Sequence, residues 1–318
     1  MKFENSSSRE RQNNEDKGGR EKRDAVMPRR DFLRLLFGGI AAGAVMRGKK
    51  KERIAEAADV KTETYHKGIE QLRREVWSIP REQIHIYKRN RNGIEYWEKI
   101  GQGNATSGFI SLESLEEADK DDIERIEAFH THTLSVIYPD FGDRDKARSG
   151  ELPVLLMPPS FMDVTGAIML MSEMKRNGSA KVGFRVADPG GVWEYIPDPA
   201  SSFFGKIVRT QREILSVISD DNQEAREFMK KYNLLDEDPR LIFMRMVEKK
   251  NEFSKPLNTI IEKMLSLEKE FMNNDNIKQI IMIESSTRGF HYDDPKLREL
   301  IRRYQMIGVK IAFTPYQD

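Results

Sequence analysis

Two kinds of apolar spacing alternate along the middle of the chain, and each change of spacing marks the end of an element. "GIEQLRREVW" at 68–77 spaces its apolar residues at helical intervals and stops before Pro80, which predicts a short helix. "QIHIYK" at 83–88 alternates apolar and polar positions in the manner of a half-buried strand. Asn92-Gly93 then predicts a hairpin turn, with "IEYWEKI" at 94–100 as the return strand and "GFISL" at 108–112 as a third. "DDIERIEAFHTHT" leads into a strand that ends at two histidines, and "KVGFRVA", "DPGG" and "VWEYI" predict a second hairpin over 181–196. Between them, "DVTGAIMLMSEMKRNG" is apolar at 164, 167, 168 and 171, a helical stripe that Asn177-Gly178 ends.

Beyond residue 200 the spacing is mostly helical: 207–218, 223–235, 239–250 and 256–272, the last apolar at 257, 260, 261, 264, 265 and 271. "IKQIIMIES" and "GVKIAFTPY" predict two late strands joined by a helix from Pro295 to Arg303. The fold class is therefore α+β: a mixed β-sheet flanked by helices over 65–200, followed over 201–318 by a mostly helical extension with terminal strands. That extension either adds to the sheet or forms a separate module that binds a partner protein. Its methionines lie on helical stripes and read as packing surface. His291 in "GFHYDD" is a lone loop histidine with a structural or exposed role.

Composition narrows the chemistry. Fifty-three basic residues offset 52 acidic ones, so charge offers no argument for a nucleic-acid partner. There is no cysteine, which excludes a disulfide framework and a thiolate metal site; a metal here must be held by imidazole and carboxylate. Residues 1–26 are polar and charged with almost nothing to bury, a disordered composition. Arg29 and Arg30 then lead into an apolar run of 12 residues, Leu35–Met46. A membrane-spanning helix needs about 20. The paired arginines resemble a twin-arginine export signal, cleaved near "AEA" at 55–57 or retained as a membrane tether, and this assigns residues 1–60 to a segment outside the fold. The basic "RGKKKER" that directly follows the run is unusual ahead of a cleavage site.

Two of the five histidines, His130 and His132, stand one residue apart at a strand end. Residues i and i+2 of a strand share a face, so the two rings project together, while Phe129 faces the other way. Ser160 and Asp163 open the next helical pattern. Ser-x-x-Asp at a helix start is a capping box, and i and i+3 also share a helix face, so one first turn can cap the helix and present a carboxylate to an ion.

Together, "HTH" and "PSFMD" resemble the motif of the JAMM (MPN-domain) metalloprotease family: an upstream glutamate, then His-x-His, then Ser-x-x-Asp. The resemblance covers 80–200 and implies an MPN/cytidine-deaminase-like core. It implies a zinc-dependent hydrolase that cleaves peptide or isopeptide bonds through a metal-activated water. His130, His132 and Asp163 take the place of the zinc ligands, Ser160 that of the oxyanion donor, and an upstream glutamate that of the base. Glu95 and Glu98 are the two choices for the base. Glu95, at the strand entry just after the turn, is preferred. The implied substrate is a peptide or protein: a peptide or envelope protein if the N-terminal segment directs export, a ubiquitin-like conjugate if it does not.

The sequence departs from the family in two places. Twenty-seven residues separate His132 from Ser160, far more than is usual, so "IYPDFGDRDKARSGELPVLL" at 137–156 reads as an inserted loop able to act as a lid or a substrate-selecting flap. No clear helix separates the first strand from the glutamate strand. Two other function classes fit the same residues: a non-catalytic MPN-like scaffold, and a partner-binding module with a structural metal.

Overall fold

The computed structural model describes residues 65–102, 123–177, 181–218, 223–233 and 245–316. The twin-arginine-like segment, the strand expected at 108–112 and the first half of the helix expected over 239–250 lie outside the described residues. Among the described residues there are six strands: β1 (Gln83–Asn90), β2 (Glu95–Gln102), β3 (Ile123–Thr131), β4 (Lys181–Asp188), β5 (Gly191–Pro197) and β6 (Val309–Pro315). The helices used below are α1 (Tyr65–Ser78), α2 (Leu134–Ile137), α3 (Phe141–Ser149), α4 (Phe161–Asn177), α5 (Ser202–Ile218), α6 (Gln223–Lys231), α7 (Lys255–Met272), α8 (Asp275–Ser285) and α9 (Pro295–Met306).

The strands form one mixed sheet in the order β2-β1-β3-β4-β5-β6. Among the described strands only β3 and β4 run parallel, and α4 lies on the crossover that joins them; the other neighbouring pairs are antiparallel. Side-chain alternation divides the sheet into two faces. Tyr87, Trp97, Phe129, Ala187 and Val192 pack under Leu72 and Val76 of α1. Gly68 lets α1 lie directly on the sheet, since a Cβ there would stand 2.3 Å from the Trp97 ring. Ala128, Phe184, Val186, Trp193 and Tyr195 face the larger layer, where they meet residues of α4, α5, α7, α8 and α9. β6 pairs with β5, so the end of the chain completes the same sheet as the histidine strand.

Two expectations change. The strand expected at 277–285 is helix α8: Ile277, Ile280 and Ile281 are the buried positions, an i, i+3, i+4 stripe, and the Asn274 side chain caps the helix by accepting from the N–H groups of Asn276 and Ile277. Its β-branched residues favour a strand locally, but only the helical period buries them on one side. The insert is also more than a loop. Its charged run forms α3, capped by Asp140, which accepts from the N–H groups of Gly142 and Asp143, and closed by Gly150 at φ 80°. Arg148 donates to the Trp77 carbonyl, which ties the insert to the end of α1, and Ser135 Oγ, just ahead of the insert, donates to the Pro80 carbonyl.

Candidate metal centre

β3 delivers His130 to the carboxyl end of the parallel pair, and His132 follows one residue past the strand. The crossover that begins there returns as α4, whose first turn carries Asp163. Strand end and helix start are thereby brought together, and His130, His132 and Asp163 form a group of ligand atoms within 4.8 Å of one another. The two Nε2 atoms are 3.2 Å apart; His130 Nε2 lies 3.2 Å from Asp163 Oδ1, and His132 Nε2 lies 3.5 Å from Oδ2. Both rings are buried, while the Asp163 side chain keeps 17% exposure, which marks the open side.

His132 and Asp163 are each held by a partner outside the group. His132 Nδ1 lies 3.0 Å from the Met157 carbonyl. A carbonyl can only accept, so Nδ1 carries the proton and Nε2 is left for a cation. The Met157 N–H in turn donates to Asp188 Oδ2 at 2.7 Å, an oxygen that also accepts from the Trp193 indole at 2.6 Å. Asp188 Oδ1 accepts from the N–H groups of Gly190 and Gly191. Burial pushes the Asp188 carboxyl up to about 6 against those four donors.

Ser160 and Asp163 make the capping box. Asp163 Oδ2 accepts from the Ser160 N–H at 2.6 Å and from its hydroxyl at 2.8 Å, and Ser160 Oγ accepts from the Asp163 N–H at 3.2 Å. Oδ2 is thus occupied by the cap and Oδ1 is turned toward His130. The Ser160 hydroxyl sits beside the ligand group, as the motif implies, with its proton directed to Asp163.

The glutamates fall elsewhere. Glu95 pairs with Arg89 and, through it, with Arg125, five residues before His130 on β3. At about 3.3 Å per residue and about 4.8 Å per strand, that is nearly 20 Å away. It also lies on the α1 face, where it accepts from the Tyr87 hydroxyl at 2.8 Å and the Tyr65 N–H at 3.2 Å. Glu98 has the parity of His130 but pairs across to Ile86 and Ala128 and lies 3.2 Å from the Lys88 ammonium. The structure brings neither carboxylate to the histidines. It brings Glu82, which no pattern along the chain singles out. Ile84 is opposite His130, so the antiparallel register continued by two residues sets Glu82 across from His132 on the same face. Glu82 is buried, at 3% exposure, and its charge acts on His132. The signal that locates it is the β1/β3 register, which sequence periodicity does not contain.

Burial alone would lower the pKa of His132, but the hydrogen bond and charge of Asp163, with Glu82 and the Met157 carbonyl, raise it to about 9. For Asp163, burial raises the carboxyl and the two imidazoles outweigh it, holding it well below the usual range. The metal-free pair is therefore imidazolium and carboxylate. Its His132 contribution to stability is full below the ordinary value of 6.5 and is lost as pH rises through about 9. A cation that takes His132 Nε2 must displace that proton. Divalent-cation affinity, measured by competition with a chromophoric chelator, is expected to climb about tenfold per pH unit between about pH 6 and 8. An affinity that does not change over that range contradicts the assignment of His132 as a ligand.

Among the described residues, one further buried histidine has a different role. His85 Nε2 meets Glu75 at 2.6 Å and its Nδ1 accepts from the Trp97 indole at 3.1 Å, which satisfies the ring within the α1 face. A scan against protein-family models and searches of curated proteins and of solved structures find no match for this chain.

Proposed function

We propose that the chain is a zinc-dependent hydrolase of the JAMM type that cleaves peptide or isopeptide bonds, with an MPN-like core. The observation that carries this reading is the convergence of His130, His132 and Asp163. Bonds of about 2.0–2.1 Å in a tetrahedron put ligand atoms about 3.3 Å apart. The two imidazole nitrogens, 3.2 Å apart, and the 3.2 Å from His130 Nε2 to Asp163 Oδ1 fit that spacing, with the other carboxylate oxygen 3.5 Å from His132 Nε2. Two imidazoles and one carboxylate form the donor set of catalytic rather than closed structural zinc sites, which argues against the scaffold and structural-metal readings.

A bound zinc ion supplies Lewis acidity, polarising a scissile carbonyl and lowering the pKa of a water towards about 7. Glu82 replaces Glu95 as the general base: it takes the proton of the attacking water and passes it to the leaving amine. The Ser160 hydroxyl, redirected from Asp163, donates to the oxyanion. Asp188 and Met157 hold His132 in the tautomer that leaves Nε2 available. The insert, tied to the end of α1, walls one side of the site and selects the substrate.

The paired arginines support an exported or tethered protein, and hence a peptide or envelope-protein substrate in preference to a ubiquitin-like conjugate. No described helix is long and apolar enough to cross a membrane. The test is a zinc-loaded preparation offered both a mixed peptide library and a lysine-isopeptide conjugate. Chelator-reversible cleavage of at least one is expected. A protein holding one zinc per chain that cleaves neither is not the proposed enzyme.

A further inference from the structure

The first turn of α4 is the part of the site most exposed to displacement. Asp163 has to hold Oδ1 within about 0.5 Å of its bonding position, yet the first N–H groups of a helix have no acceptor within the helix. Asp163 and Ser160 satisfy each other, but that closes the turn only on itself and does not fix where it lies relative to β3. The external anchor comes from far along the chain. The N–H of Phe161, the first residue of α4, points at Glu284 of α8, 3.1 Å from Oε1 and 3.2 Å from Oε2. The hydroxyl of Tyr304 on α9, a fully buried residue, donates to Oε1 at 2.5 Å. Phe161 itself is fully buried, and its ring packs on Phe203 of α5, so the turn cannot shift without opening the core.

Burying a carboxylate is unfavourable unless its hydrogen bonds compensate. An apolar side chain would fill this position without that cost and would leave the Phe161 N–H with no partner. Glu284 contacts Phe161, two residues before Asp163. We propose that Glu284, held by Tyr304, is a positioning residue of the metal centre, through which the C-terminal part of the chain sets the place of Asp163. The inference rests on the metal-site reading above and extends it: α8 and α9 belong to the active centre rather than to a detachable module.

The test uses the full chain and Co2+ as the probe, with affinity and the visible absorption of the bound ion as readouts. Glu284→Gln keeps an oxygen for the Phe161 N–H and a polar group for Tyr304, and is expected to bind Co2+ within a few-fold of the parent with the same spectrum. Glu284→Leu removes the acceptor and is expected to weaken binding by about 10–100-fold, the range for losing an outer-shell partner, with an altered spectrum. If the leucine variant does not fold, Glu284→Asp, whose carboxylate is drawn back by one methylene, is expected to fold and show the weakened affinity. Parent-like affinity and spectrum in Glu284→Leu, or in Glu284→Asp where that is the folded variant, overturn the proposal while leaving the metal site standing. A parent that binds no Co2+ removes both.

Discussion

Asp163→Ala protein is expected to come off purification without the zinc that the parent carries at about one per chain, and His130→Ala to behave in the same way. Losing an outer-shell partner costs metal sites about 10–100-fold, so loss of a ligand atom itself should exceed about a hundredfold. Two of the three ligands then remain, and the imidazolium of His132 loses the carboxylate that stabilises it. Alanine at 163 also removes the acceptor for the Ser160 N–H, so a fall in melting temperature is expected alongside. Asp163→Asn separates the two effects: its carbonyl oxygen still accepts from Ser160, whereas its neutral amide is a poor ligand. It should melt above Asp163→Ala and still lack zinc. Metal analysis under zinc-replete conditions that finds a full complement in Asp163→Ala would remove the basis of the function proposed here.

Glu82→Gln should give the opposite pattern, keeping zinc and losing hydrolysis. Glutamine fills the same space and leaves the ligand group intact, but it cannot take a proton. General-base catalysis is typically worth about 10²–10⁴-fold, and the loss in kcat/KM should fall in that range. Glu95→Gln serves as the control. Its carboxylate is hydrogen-bonded to Tyr87 and the Tyr65 N–H on the other face of the sheet, so activity should be unchanged and only stability should fall slightly. If Glu95→Gln abolishes turnover and Glu82→Gln does not, the register argument has named the wrong residue.

The two glutamates show how far a pattern along the chain can be read. That Glu95 shares a face with Trp97 follows from alternation alone. Which face His130 shares with that hairpin depends on how β1 pairs with β3, a register set when Ile84 comes to lie opposite His130. Glu82 stands one residue before its strand, where periodicity carries no signal, and only the pairing partner identifies it. The helix at 275–285, where the pattern favours a strand, has a similar origin: a run of isoleucines favours a strand locally, and packing of Ile277, Ile280 and Ile281 against one layer decides for a helix. The charge and glycine content of 137–156 were legible as a break in the pattern. Helix α3 was not, because the caps at Asp140 and Gly150 lie inside what reads as a charged loop.

Local rules were enough for the pair of rings on one strand face, the capped helix start that carries Asp163, the hairpins, and the exclusion of thiolate ligands, because each depends on residues a few positions apart. The meeting of those rings with that carboxylate, the placement of Glu82 across from His132, the hold of Asp188 on His132 through one residue, Met157, and the reach of Glu284 to Phe161 were decided by the tertiary structure. These contacts join residues 25 to 123 positions apart, and the chain between them can be read from its own pattern without revealing where its ends will be placed.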